Sequence, residues 1–330
     1  MNVYFLMCSE RSGSNFITKL LNGHEEICGP SPKHIINPVA RNIFRYGDLN
    51  VENNWHDLIS DLSNMINVDF SIWNTKFDEQ KLRNIAPKGD VKSLLYNIFY
   101  EETHSNNKKH VFIKENLLYE FLPFLMLIFP DAKYIYQVRD PRDMALSWKN
   151  NENMPGGIVK ASQQWKLDQQ NFLKSHWVLS QTQQSFMIKY EDLISDTTNQ
   201  LQKITEFLNV KYSSNMLRFH EDELTRRNSQ RNSAWENLSK DVLKNNKNKY
   251  LTGLSKKEIK IIEKICFYEM LHLGYKPINK TNEIENITRE EIEEHYSYEQ
   301  KSVKFNQIDG VKDNIKAKKR FYERFCNNGT

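Results

Sequence analysis

The chain has 330 residues, 39% of them hydrophobic and 27% charged, a balance that supports a packed core and excludes disorder throughout. Its length exceeds the common single-domain range of roughly 100–150 residues but suits one α/β domain with a decorated edge. Lys and Arg number 46 against 42 Asp and Glu, leaving +4. That is too little for a nucleic-acid coat or a polybasic membrane patch, so any anion site has to be local.

The opening MNVYFLMCSER lacks the basic lead and the length of a signal peptide, and no apolar run approaches the twenty or so residues of a membrane span. Cys8, Cys28, Cys266 and Cys326 stand without CxxC or Cys/His spacing. They read as structural thiols of a cytoplasmic protein, with no metal site.

In chain order, Val3–Cys8 is a short apolar run that predicts a buried strand. From Ser14 to Asn22 the period changes and places Phe16, Ile17, Leu20 and Leu21 on one helical stripe. Between them lies Ser9-Glu10-Arg11-Ser12-Gly13-Ser14-Asn15, where backbone N–H groups and a helix dipole favour an anionic group. It is not a Walker A loop, since it has no first Gly and no Gly-Lys pair. Arg11, a permanent cation, serves there by charge and not as a proton donor. A tight turn that needs Ser and Gly only for backbone reasons is the competing reading.

The stretch from Val39 to His110 is too long for a simple crossover. It predicts cap helices at the sheet edge, with Trp55, Phe70, Trp73 and Phe77 either lining a pocket or packing those helices. Strands follow at Val111–Lys114, Lys133–Val138 and Ser185–Lys189, separated by helical stretches. That alternation predicts a doubly wound parallel α/β sheet.

After Val138 comes Arg139-Asp140-Pro141-Arg142-Asp143. Asp140 suits an N-cap, Pro141 the first helical position, and Asp143 a capping partner three residues on. Arg139 stands at the strand's C-terminal end, where open α/β sheets bind ligands, and Ser147 returns to the cap's face of the helix. The pair suits a second phosphate. Ser255 and Glu258 form a capping box opening a helix that Gly274 and Pro277 end. Beyond it the chain is rich in Glu, Lys and Asn with scattered aromatics. Residues 1–276 are therefore read as one domain with 39–110 as a helical cap, and 277–330 as a charged helical extension able to fold back or to form a homo-oligomer.

SERSGSN after a first strand, then YIYQVRDPRDMALSW, then IKYEDLISD resembles the sulfotransferases that use 3′-phosphoadenosine-5′-phosphosulfate (PAPS) and release adenosine 3′,5′-bisphosphate. The resemblance spans about residues 2–276 and implies a P-loop-like fold. It places Arg11, Ser12, Gly13, Ser14 and Asn15 at the 5′-phosphosulfate, and Arg139 and Ser147, eight residues apart, at the 3′-phosphate. Tyr190 falls near the adenine or in plain core packing. The region from Arg226-Arg227-Asn228 through Arg231, Ser233 and Trp235 to Tyr250-Leu251 and Leu254-Ser255 resembles the loop that closes over the nucleotide, which makes Arg227 and Arg231 phosphate-binding candidates. A solvated basic loop is the alternative there.

Many such enzymes carry a Glu after the first helix, where this chain has Cys28-Gly29-Pro30-Ser31-Pro32-Lys33-His34. His34, similar to the His some members present from this loop, is the first choice of base, since an imidazole titrates near neutrality. Glu115 is the rival base. Asn116 occupies a position where other members place a catalytic His and has no basic nitrogen. Lys114 is a candidate for holding the transferring sulfonate. The resemblance implies PAPS as donor, no metal, and a hydroxyl or amine on a small-molecule, lipid-like or carbohydrate acceptor. A P-loop-type kinase and a non-catalytic nucleotide-binding module are the alternatives.

Overall fold

In the computed structural model, which describes residues 1–231, 233–302 and 309–324, five parallel strands form the sheet. In chain order the elements are β1 (Val3–Met7), α1 (Ser14–Asn22), β2 (Ile27–Cys28), α2 (Ile36–Asn42), α3 (Glu52–Asn67), α4 (Glu79–Ile85), α5 (Val91–Ser105) and β3 (His110–Lys114). Then come α6 (Leu122–Ile128), β4 (Lys133–Val138), α7 (Pro141–Lys149), α8 (Gly157–Ser180), β5 (Ser185–Lys189), α9 (Tyr190–Ser195) and α10 (Thr197–Leu208). The chain continues with α11 (Glu223–Ser229), α12 (Tyr250–Gly253), α13 (Lys256–His272), α14 (Thr281–Glu285), α15 (Arg289–Ser302) and α16 (Asp309–Glu323).

The strand order is β2-β3-β1-β4-β5. β1 is central because all five of its residues are buried, and successive side chains go to opposite faces. Val3, Phe5 and Met7 enter one core, which Tyr134, Tyr136 and Val138 of β4 and the cap helices share. Tyr4, Leu6 and Cys8 enter the other, with Ile17, Leu20 and Leu21 of α1 and Leu201 and Ile204 of α10. The register pairs Tyr4 through Met7 with Lys133 through Tyr136, so the loops after β1 and β4 emerge side by side. This is the point where the winding reverses direction, at which such sheets bind ligands.

The helix starts follow local chemistry. Asp140 accepts a hydrogen bond from the Arg142 amide at 2.9 Å as the N-cap of α7, with Pro141 first in the helix. Ser255 and Glu258 make the reciprocal capping box of α13, and Gly274, at φ +74°, takes the left-handed position that ends it. β2 was not expected, because two residues carry no periodic pattern; it pairs with the start of β3 at the sheet edge.

Trp55, Trp73 and Phe77 of the cap are buried in the first core. Phe321 of α16 is buried against the Tyr46 ring, and Arg324 forms salt bridges with Asp57 and Asp61 of α3. The C-terminal helix is thereby folded back on α2 and α3. Cys8, Cys28 and Cys266 are buried free thiols, and Cys326 lies outside the described residues. Among the described residues no helix is long and apolar enough to cross a membrane.

Candidate active site

A cleft of about 810 Å³ opens over the C-terminal ends of β1, β3 and β4. Arg11, Gly13, Ser14, Asn15, His34, Lys114, Arg139, Ser147 and Tyr190 line it. Five segments distant in sequence supply these residues, and the parallel sheet brings them to one edge.

At one end the loop after β1 meets the end of β4. The Arg139 guanidinium donates to the Arg11 carbonyl at 3.0 Å and lies 4.5 Å from the Tyr190 ring centroid. Arg11 Nε donates to Ser147 Oγ at 3.2 Å. The loop itself is held from below by Gln137, whose amide donates to the Ser12 carbonyl at 2.6 Å, and by Gln169, which donates to Ser9 Oγ at 2.8 Å. Gly13 has φ +85°, and a Cβ there would lie 2.4 Å from Tyr190 Cε2. The glycine thus permits both the turn and the stacking of Tyr190 on the loop. Tyr190 accepts a hydrogen bond from Asn246 at 2.7 Å, which ties the 235–249 segment over the site.

This end is rich in charge and poor in partners. Burial and the neighbouring Arg139 push the Arg11 guanidinium below its usual range. Among the described residues neither arginine has a carboxylate within salt-bridge distance. Ser12 Oγ, Asn15 Oδ1 and Arg139 Nε are buried without a hydrogen-bond partner, and such groups are costly unless a ligand engages them. Two adjacent cations, hydroxyls and the N-terminus of α1 make a site for a polyanion.

At the other end His34 and Glu115 are buried together, with Nδ1 3.4 Å from Oε2. Glu115 Oε1 accepts from the Ile36 amide at 3.0 Å, so the carboxylate holds the backbone just beyond His34. His34 adopts φ +56°, and its loop is pinned by Lys33 donating to the Val68 and Ser71 carbonyls at 2.9 and 2.5 Å and by Trp73 donating to the Ser31 carbonyl at 2.7 Å. Burial, with the positive charges of Lys318 and Lys114, lowers the His34 pKa well below the ordinary 6.5. Burial raises Glu115 to about 7. His34 is therefore the neutral imidazole at pH 7, the form that accepts a proton.

Sequence reasoning missed several cleft residues. Asn314 and Lys318 of α16 line this end, and no local motif pointed to them. Glu10 accepts from Asn116 at 2.6 Å. Asp143 is not a capping partner: its carboxylate accepts from the Asn248 and Tyr250 amides at 2.6 and 3.0 Å, anchoring the segment that covers the cleft. Arg227 and Arg231 are not brought to the cleft, since Arg227 is exposed on α11 and Arg231 is exposed and pairs with Asp69. Away from the cleft, Glu258, His295 and Glu299 lie close enough to share a metal ion. Their carboxylates already serve Lys149, the Ser255 amide and the first amides of α8.

Fold and site define the class: an α/β protein with a cation-rich cleft at the switch point of a parallel sheet and a buried His–Glu pair beside it. The chain belongs to the sulfotransferase family, whose model matches residues 4–214. It is an enzyme of sulfonate transfer, which sets aside the kinase and scaffold alternatives. Its fold is similar to the sulfotransferase domain from the Synechococcus PCC 7002 olefin synthase, at 18% identity and TM-score 0.52, covering 79% of this chain and 94% of that one. It is likewise similar to the sulfotransferase domain from the curacin biosynthetic pathway, at 18% identity and TM-score 0.53, covering 84% and 99%. No curated protein matches the sequence.

Proposed function

We propose that the enzyme moves a sulfonate group from PAPS to a hydroxyl or amine of a small-molecule, lipid-like or carbohydrate acceptor and releases adenosine 3′,5′-bisphosphate. Arg11, Ser12, Gly13, Ser14 and Asn15 hold the 5′-phosphosulfate, Arg139 and Ser147 the 3′-phosphate, and Tyr190 flanks the adenine. Arg227 and Arg231 have no part in this reading. The observation that carries it is the Arg11–Arg139–Ser147 cluster, doubly cationic and without a carboxylate at salt-bridge distance among the described residues, beside the partnerless atoms Ser12 Oγ, Asn15 Oδ1 and Arg139 Nε.

In the transfer the acceptor oxygen or nitrogen forms a bond to sulfur as the bond from sulfur to the bridging phosphate oxygen breaks. The electron pair of that bond stays on the phosphate, and Arg11 with the loop N–H groups stabilises the growing charge. Lys114 steadies the sulfonate oxygens. His34, its Nδ1–H directed to Glu115, takes the acceptor proton on Nε2. No metal is assigned a role. The three buried thiols accord with a reducing cytoplasm.

Calorimetric titration without added magnesium tests the reading. Adenosine 3′,5′-bisphosphate is expected to bind tightly and ATP weakly. A preference for ATP, or no binding of the bisphosphate, overturns it.

A further inference from the structure

The end of the cleft beyond His34 is walled by a helix that lies outside the family-matched residues. α16 places Val311, Asn314, Ile315 and Lys318 on the cleft. The helix is fixed there by Phe321 in the core and by Arg324 on Asp57 and Asp61.

Two of these residues carry unmet polar capacity. Asn314 is 4% exposed, and its amide Nδ2 is buried without a hydrogen-bond partner, an arrangement that costs stability unless something binds there. Lys318 Nζ has no hydrogen bond and no carboxylate within salt-bridge distance among the described residues. Burial, with the charge of Lys114, lowers its pKa against the opposing charges of Glu115 and Glu10. Neither glutamate answers it fully, because Glu10 accepts from Asn116 and Glu115 is held by the Ile36 amide beside His34.

Asn314 and Lys318 line the same cleft as His34 and Lys114. The charges of Lys318 and Lys114 both act on the His34 imidazole, whereas Arg139 is the cation that acts on Arg11. The nearby walls are apolar: Phe70 lies 6.1 Å from the His34 ring and 5.4 Å from Trp235.

We propose that Asn314 and Lys318 form an oxyanion subsite for the acceptor, so that the preferred acceptor carries a carboxylate or phosphate in addition to the group that receives the sulfonate. The ammonium and the amide each donate to the oxyanion, while Phe70, Trp235, Val311 and Ile315 cover the acceptor's apolar body. The inference rests on the sulfonate-transfer reading above and names the acceptor class for that same site.

The test uses the full chain loaded with adenosine 3′,5′-bisphosphate and two matched acceptor series: 1-decanol, 10-hydroxydecanoate and 10-hydroxydecyl phosphate; and p-cresol, 4-hydroxyphenylacetate and 4-hydroxyphenyl phosphate. Calorimetry measures binding, and turnover with PAPS gives kcat and KM. In at least one series an anionic member should bind at least 10-fold more tightly than its neutral counterpart, and the carboxylate and phosphate arms separate the two sources of the oxyanion. Lys318→Ala and Asn314→Ala should remove that preference by raising KM for the anionic member, with KM for the neutral one and the bisphosphate affinity unchanged. Lys318→Arg should keep it. Equal binding of neutral and anionic members, no binding of either, or a preference that survives Lys318→Ala overturns the subsite. Failure of the bisphosphate to bind overturns the donor reading instead, so the two failures are distinguishable.

Discussion

At the donor end of the cleft, each group hangs on a strand end or on the first turns of the helix that follows it. Arg11 and Asn15 follow β1, Arg139 and Ser147 follow β4, and Tyr190 follows β5. At the acceptor end the groups come from a loop at His34, the end of β3 at Glu115 and the C-terminal helix at Lys318. The first arrangement repeats one local geometry three times along a parallel sheet, so each piece has a signature in a few consecutive residues. The second depends on where the cap and the tail settle. Anion binding reuses backbone features of the fold, whereas the acceptor end is free to differ with every insertion.

The largest effect expected from breaking this division is at the acceptor end. His34→Ala should lower kcat by about 10²–10⁴-fold and leave bisphosphate affinity unchanged, because it removes the proposed proton acceptor and none of the residues proposed to hold the nucleotide. Steady-state rates with calorimetry on the same preparation check it; retained turnover moves the base to Glu115. The donor end should respond in the opposite sense. Arg139→Ala is expected to weaken adenosine 3′,5′-bisphosphate by about 10- to 100-fold, the size of a charge-assisted hydrogen bond to a buried anion. An unchanged dissociation constant would remove Arg139 from the phosphate site.

Glu115 sharpens the comparison through pH. Its folded pKa, about 7, lies above the ordinary carboxylate value of 4.5, so the folded state holds a proton that the unfolded chain has lost. The stability this contributes is full below about pH 4.5 and is lost as pH rises through about 7. Glu115→Gln should therefore raise Tm at pH 8 relative to the parent, and the difference in Tm between variant and parent should grow from pH 5 to pH 8, as thermal melts would show. A difference that stays constant over that window refutes the buried-carboxylate account, because the opposing contribution of His34 is present in both proteins. His34 has the reverse sign: its lowered pKa means that stability is lost as pH falls below about 6.5. The smallest effect is expected for Tyr190→Phe, which removes the hydroxyl that accepts from Asn246 and keeps the ring over Gly13. Bisphosphate affinity should drop only a few-fold, matching a neutral hydrogen bond of about 1 kcal/mol; a loss of 100-fold would mean that the hydroxyl contacts the nucleotide directly.

Much of the frame is legible in the sequence. The run Lys133–Val138 and the helix Ser14–Asn22 have the same bounds in both readings, because a short apolar run between polar turns and a stripe repeating every 3.6 residues have few alternatives. β2 escaped notice because pairing with β3, and not its two residues, makes it a strand. Asp143 stands where a capping partner would stand, yet two amides more than 100 residues away compete for its carboxylate and win. Arg227 and Arg231 have the right charge and the right loop, but Arg227 is exposed on α11 and Arg231, just beyond that helix, is exposed and paired with Asp69.

The sequence by itself determined the alternation of strands and helices, the anion loop between β1 and α1, and the Arg-and-Ser pair after β4. Each is a short-range property, set by hydrophobic period, turn chemistry and the N-terminal preferences of helices. Only the tertiary structure decided that His34 is a neutral imidazole against Glu115, that Asp143 ties down the covering segment, and that the C-terminal helix brings Asn314 and Lys318 to the far end of the cleft. Burial and charge proximity are sums over residues distant in the chain, and they acquire values only when the chain has folded.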